Sequence, residues 1–212
     1  LLFAGPTGVG KTASAKALAD YFFGLGQKER PLVRIDMSEY QHPAQFDRLL
    51  GTYDNPGKLI QEVRKRPFSV LLLDEIEKAH PVVFDMLLNL LDEGRLIDHF
   101  GRLTNFRNCI IILTSNLGAS SRSPLQLMGK QDPEQLYDSA IRKFFRPEFV
   151  NRLDQVVIFN ALGRADIEKI AAIELRRLAR REGIARSGLK LTFHPSLLSY
   201  LAEAGFHPKY GA

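Results

Sequence analysis

The chain has 212 residues, 45 % hydrophobic and 25 % charged, with 29 basic against 24 acidic side chains and a net charge of +5. That balance is ordinary for a globular protein, the length suits one sizeable domain with or without a small satellite, and no apolar run approaches the ~20 residues that span a bilayer. The lone cysteine, Cys109, excludes an internal disulfide and suits a reducing, cytoplasmic setting; within the apolar run 109–113 it reads as a small buried hydrophobe. The first residue is Leu1, inside a predicted strand, which reads as a piece of a longer protein. Much of the basic excess lies in Arg176, Arg177, Arg180 and Arg181, on one predicted helix, where it reads as a solvated face. Neither a membrane nor nucleic acid is expected as a partner.

In chain order, strands are predicted over 1–4, 32–36, 69–74, 109–115 and 156–159. Most are continuous runs of Val, Ile and Leu, the pattern of strands covered on both faces. Helical patterns fill the gaps: one after Lys11, one near 56–65 and one near 81–93. This alternation predicts a five-stranded parallel α/β sheet flanked by helices. Turn residues and alternating apolar positions over 94–105 predict a hairpin. The Ser- and Gly-rich stretch 119–132 reads as an exposed loop, and Pro133 suits the first turn of a helix running to about Phe145. After residue 159 the pattern changes. Ile167, Ile170, Ala171, Leu175 and Leu178 recur at helical spacing, with Gly183 expected to end that helix. Leu189, Leu191 and Phe193 alternate as a short strand, and Pro195 opens a helix stopping at Gly205. The chain therefore divides into an α/β domain, 1–159, and a small, mostly helical, truncated C-terminal subdomain, 160–212.

Gly5, Pro6, Thr7, Gly8, Val9, Gly10, Lys11 and Thr12 form a complete Walker A loop between a predicted strand and a predicted helix. Glycines let the backbone wrap phosphates closely, and successive N–H groups then make an anion nest backed by the helix N-terminus. Lys11 supplies a cation for the β- and γ-phosphates, and the Thr12 hydroxyl suits Mg²⁺. The nucleotide-binding run extends to Ala13. Downstream, Val70, Leu71, Leu72 and Leu73 form a buried strand ending in Asp74 and Glu75. Ligands of open α/β sheets bind at that edge. Asp74 is placed for the Mg²⁺ shell, and Glu75 for activating the attacking water as a general base. ATP or ADP with Mg²⁺ is the expected ligand.

The paired Asp74-Glu75 points to AAA+ proteins, and longer runs are more specific. Residues 64–81 resemble the Walker B region of the Clp unfoldases and disaggregases, and 36–40 the segment after that family's second strand. Residues 114–118 are similar to its sensor 1, 145–154 to its arginine-finger segment, and 205–212 to the run before sensor 2. Nearly the whole chain resembles the second ATPase module of that family. The resemblance implies an AAA+ P-loop ATPase acting on protein substrates. It implies that Asn116 is sensor 1 and that Arg152 is the arginine finger, with Arg146 a weaker candidate and a local salt bridge the plainer alternative. It further implies a homo-hexameric ring with the finger acting in trans. Leu162 and Ile170 would line the adenine pocket, though both equally suit plain core positions.

The family's aromatic pore loop is not matched. The region 50–59 is shorter and lacks the Tyr-Val pair, leaving Tyr53 as its one aromatic, either a substitute gripping residue or a surface tyrosine. The second loop expected to face the pore, 93–106, carries Asp98, His99 and Phe100 near its tip. The shortened loop keeps open an alternative: a nucleotide-gated assembly or binding module that does not thread substrate.

Overall fold

The computed structural model describes residues 1–24, 29–52, 55–98, 100–119, 133–187, 191–194 and 196–205. They fall into two compact units, residues 1–5 with 10–159, and residues 6–9 with 160–212.

The first unit is built on β1 (Leu2–Ala4), β2 (Leu32–Asp36), β3 (Val70–Asp74), β6 (Ile110–Ser115) and β7 (Val156–Ile158). Their order across the sheet is β2-β3-β6-β1-β7, and every pairing is parallel. This is the five-stranded parallel sheet expected from the sequence. Strand β3 is buried along its whole length, and its side chains alternate between two cores. Leu71 and Leu73 face one that includes Val83, Leu87, Leu90 and Phe106. Val70 and Leu72 face the other, with Ala15 and Ala19. Each fully buried leucine stabilises the fold by about 1.5–3 kcal/mol.

Ala15 and Ala19 belong to α1 (Lys11–Phe23), where their small side chains line the buried face one turn apart. Helix α4 (Pro81–Glu93) starts with Pro81 at its first turn and the His80 side chain accepting from the Val82 N–H. It buries Val83, Met86, Leu87 and Leu90, the i, i+3, i+4, i+7 stripe of an amphipathic helix. Beyond it, β4 (Arg95–Ile97) and β5 (Leu103–Asn105) form the expected hairpin. The Asp98 carboxylate organises its tip, accepting from the Phe100 and Arg102 backbone N–H groups. Helices α2 (Pro43–Leu50), α3 (Lys58–Lys65), α5 (Pro133–Phe144) and α6 (Pro147–Asn151) complete this unit. Tyr53, His99 and most of the expected loop 119–132 lie outside the described residues.

In the second unit, α7 (Arg164–Ala179) buries Ile167 and packs on α9 (Ser196–Gly205), which buries Ala202. Gly183 does not end α7; it lies inside the separate helix α8 (Glu182–Arg186). Helix α7 closes at Ala179 instead, with the Arg180 N–H donating to the carbonyls of Arg176 and Arg177. That terminates the helix without a left-handed glycine. The described part of the expected strand, 191–194, carries no strand; alternation alone does not stabilise an isolated short strand in water. Leu189, Pro195 and the run 206–212 lie outside the described residues. Among the described residues, no helix is long and apolar enough to cross a membrane.

Candidate functional site

Parallel strands end at a common edge. The sheet order sets β1, β6 and β3 side by side, so the residues at and just after the ends of β1, β6 and β3 converge there. These are the Walker A loop, Asn116, and Asp74 with Glu75.

Two of the loop's glycines are needed for different reasons. A Cβ on Gly5 would sit 2.5 Å from the carbonyl oxygen of Phe159, so close approach excludes a side chain. Gly10 has φ 102°, a left-handed conformation that L side chains rarely adopt. A Cβ built on Gly10 meets nothing within 4 Å, so the loop leaves open space beside the start of α1. Pro6, Thr7, Gly8 and Val9 group with residues 160–212 in the second unit. Ala13 follows within the first turn of α1.

Lys11 is 8 % exposed. Its Nζ donates to the Gly5 carbonyl at 2.6 Å and to Asn116 Oδ1 at 2.8 Å. Burial pushes its pKa down to about 8, partly offset by Glu77, Asp74 and Glu75. Lys11 is thus a cation held in a partly desolvated place, where its attraction for a polyanion is stronger than in water.

Asp74 is buried. Its Oδ1 accepts from the Thr114 hydroxyl, and its Oδ2 lies 3.4 Å from Thr12 Oγ1. Glu75 has φ 55°, the one non-glycine positive φ among the described residues. This left-handed turn redirects the chain at the strand's end, and the Glu75 N–H donates to Thr114 Oγ1 at 3.0 Å. Its carboxylate accepts from Lys78 Nζ and lies 3.5 Å from Asn116 Nδ2. The Asn116 N–H in turn donates to Glu77 Oε1 at 3.0 Å. Lys11, Thr12, Asp74, Glu75 and Asn116 therefore form one connected cluster.

The donor set fits a small hard cation. Thr12 and Asp74 present oxygen only, and Mg²⁺ typically takes one or two protein oxygens with phosphate and water completing the shell. Among the described residues no group of three or more His, Cys, Asp and Glu is placed to hold a metal ion.

Other expected residues stand apart from this cluster. Arg152, following α6, pairs with Asp92 of α4 at 2.5 Å. Arg146 pairs with Asp85 of the same helix at 3.0 Å. In the second unit, Leu162 is half-buried and Ile170 is 37 % exposed on α7. Sequence reasoning missed Arg34, Thr114, Glu77 and Lys78 as parts of the site. For Glu77 and Lys78 the signal was their place directly after Asp74-Glu75. For Arg34 it was a lone cation within an apolar strand.

Comparison with known proteins matches the chain in two parts. Residues 1–156 match the AAA domain (Cdc48 subfamily) family, and residues 162–212 match the C-terminal, D2-small domain of ClpB protein. The chaperone protein ClpB of Streptomyces albus G is 48 % identical over 220 residues, covering all of this chain and 24 % of that protein. ClpB of Propionibacterium freudenreichii subsp. shermanii is 46 % identical over 217 residues, covering the same shares. The chain thus spans about a quarter of the length of these relatives. Among solved structures, a closed-state cryo-EM reconstruction of Hsp104 with ATPγS and FITC casein aligns with a TM-score of 0.85 at 36 % identity, covering 100 % of this chain and 37 % of that one. With its sheet, its Walker loop and both of its parts matched, the chain belongs to the AAA+ ATPases of the Clp unfoldase and disaggregase family, as a ClpB-type second ATPase module.

Proposed function

We propose that this chain binds and hydrolyses ATP with Mg²⁺ as part of a cytoplasmic Clp-type ring that remodels or unfolds protein substrates. The observation that carries this reading is the convergence of Lys11, Thr12, Asp74, Glu75 and Asn116 at one edge of the sheet. In it, residues 5–13 wrap the phosphates with backbone N–H groups, and Lys11 neutralises the β- and γ-phosphates. Thr12 and Asp74 hold the metal. When bound, Mg²⁺ supplies charge neutralisation of the phosphate oxygens. Glu75 takes the proton of the attacking water, and Asn116, hydrogen-bonded to Lys11 and beside the Glu75 carboxylate, orients that water or the γ-phosphate. Leu162 and Ile170 contact the adenine, as the resemblance to the Clp family implies.

Arg152 serves a neighbouring subunit. Its ion pair with Asp92 is the local salt bridge of the plainer alternative, whereas whole-chain similarity to the ClpB chaperones supports action in trans within a homo-hexamer. There it stabilises charge developing on the transferred phosphoryl group. The assembly-only reading rested on the short segment 50–59. Whole-chain similarity to proteins named as ClpB chaperones favours remodelling over it.

ATP turnover of the full-length protein, measured alone, with an unfolded protein and with single-stranded DNA, tests the reading. Stimulation by the unfolded protein is expected. Turnover indifferent to it, or stimulated by DNA alone, removes protein remodelling from the proposal.

A further inference from the structure

Asp74 has a protein cation of its own. Arg34 sits on β2, in register with Leu72 of β3 and two positions before the Asp36–Asp74 pair. Its guanidinium reaches along the sheet to the Asp74 carboxylate, Nη2 at 2.7 Å and Nε at 3.0 Å, both on Oδ2. This is the oxygen that also faces Thr12 Oγ1 at 3.4 Å. The other oxygen is engaged by Thr114. The Asp74 side chain is 9 % exposed, whereas that of Arg34 is 49 % exposed. The carboxylate is therefore fixed, and the guanidinium, on a half-solvated stem, can move aside.

Charge balance gives this contact its consequence. Four carboxylates gather at this edge, Asp36, Asp74, Glu75 and Glu77, against Lys11, Lys78 and Arg34. Removing Arg34 leaves four acids facing two cations, and takes from the buried Asp74 carboxylate its ion-pair partner, a costly change. A nucleotide entering without metal would then bring further negative charge to a site that repels it. A metal–nucleotide complex would bring its own cation to Asp74.

We propose that Arg34 is a positioning residue that stands in as the counter-ion of Asp74, and that it sets how strongly nucleotide binding depends on the metal. The inference rests on the nucleotide-site reading of Thr12 and Asp74. It predicts that the guanidinium and the metal alternate at Asp74 Oδ2, so that Arg34 keeps the metal-free site receptive to nucleotide.

Calorimetric titration of ADP into the full-length protein, once in excess EDTA and once in saturating Mg²⁺, tests it without turnover. In Arg34→Gln the dissociation constant in EDTA should weaken on the order of tenfold while that in Mg²⁺ moves far less, raising the ratio of the two by about tenfold. Arg34→Lys keeps the charge but loses the planar fork, so the ratio should rise by roughly threefold. Equal weakening under both conditions would reduce Arg34 to a structural residue and overturn the proposal, as would an unchanged ratio. Circular dichroism establishes that the variants fold. Should Arg34→Gln not fold, Arg34→Lys decides by the same ratio. A wild-type protein that binds ADP under neither condition defeats the nucleotide reading itself. One that binds, with a ratio indifferent to residue 34, defeats this inference alone.

Discussion

Arg152 Nε lies 2.5 Å from Asp92 Oδ1, an ion pair joining the segment after α6 to α4, with both side chains about half exposed. Pairs this exposed contribute roughly 0–1 kcal/mol, so the contact parks the arginine more than it binds it. A contact this weak leaves Arg152 free to act as the proposed finger for a neighbouring subunit.

Arg152→Ala should therefore leave ATP affinity within about threefold and lower turnover by about 10³-fold, the range of arginine-finger effects. Mixing settles the direction of action. On the proposed roles, Glu75→Gln subunits would lack the base but keep the finger, and Arg152→Ala subunits would have the reverse. Mixed assemblies should regain part of the turnover that each lacks alone. No recovery on mixing would mean that Arg152 serves its own subunit or none.

Lys11 joins the Gly5 carbonyl to the Asn116 side chain, so its removal affects more than one charge. Lys11→Ala should abolish the rise in melting temperature that ATP with Mg²⁺ gives the parent protein, since stabilisation by a ligand follows its affinity. A variant stabilised by ATP as strongly as the parent would remove Lys11 from the phosphate site.

The parts of this site legible in the sequence are those whose geometry is local. Gly5 to Thr12 state their own turn and helix start, and Val70 to Leu73 state a buried strand whose end delivers Asp74. Arg34 was not legible, because its partner is 40 residues away and is met only through the β2–β3 register. Thr114 was read as one letter of a longer run. Its bonds to both Asp74 and the Glu75 backbone depend on β6 lying beside β3. In the fold, α2 went unnamed because its apolar residues crowd into eight positions with Leu49 alone fully buried. Gly183 misled because a glycine after an apolar stripe signals a helix end, whereas here it belongs to the next short helix.

Cys109, half-buried against the core rather than the fully buried hydrophobe expected from the sequence, gives a pH-dependent test. Burial raises its thiol pKa above the usual value near 9, with hydrogen bonding to Ser69 opposing; its Sγ also approaches the Pro67 carbonyl at 3.4 Å. The unfolded chain releases this proton at lower pH than the folded one. Above pH ~9 the native state holds the extra proton, so stability is lost as pH rises, while below that pH this group contributes no slope. Cys109→Ser should flatten the stability profile above pH 9. At pH 8.5, iodoacetamide should label Cys109 several-fold more slowly in the native protein than in urea. Equal labelling rates would place the thiol in solvent.

Glu75 combines the carboxylate proposed as the base with a backbone that disfavours it. Its φ of 55° and ψ of 49° cost an L residue roughly 1–2 kcal/mol, and strain of this kind gathers at functional sites. Two substitutions separate side chain from backbone. Glu75→Ala removes the carboxylate and its contact with Lys78 and Asn116 but keeps the strain. Glu75→Gly removes the same contacts and releases the strain. Both should lose turnover, as should Glu75→Gln, which keeps ATP bound. The glycine variant should nevertheless melt about 2–4 °C above the alanine variant, the shift that about 1 kcal/mol gives a domain of this size. If alanine proves as stable as glycine, the left-handed turn at the end of β3 carries no strain, and the conformation of Glu75 is simply that of the loop.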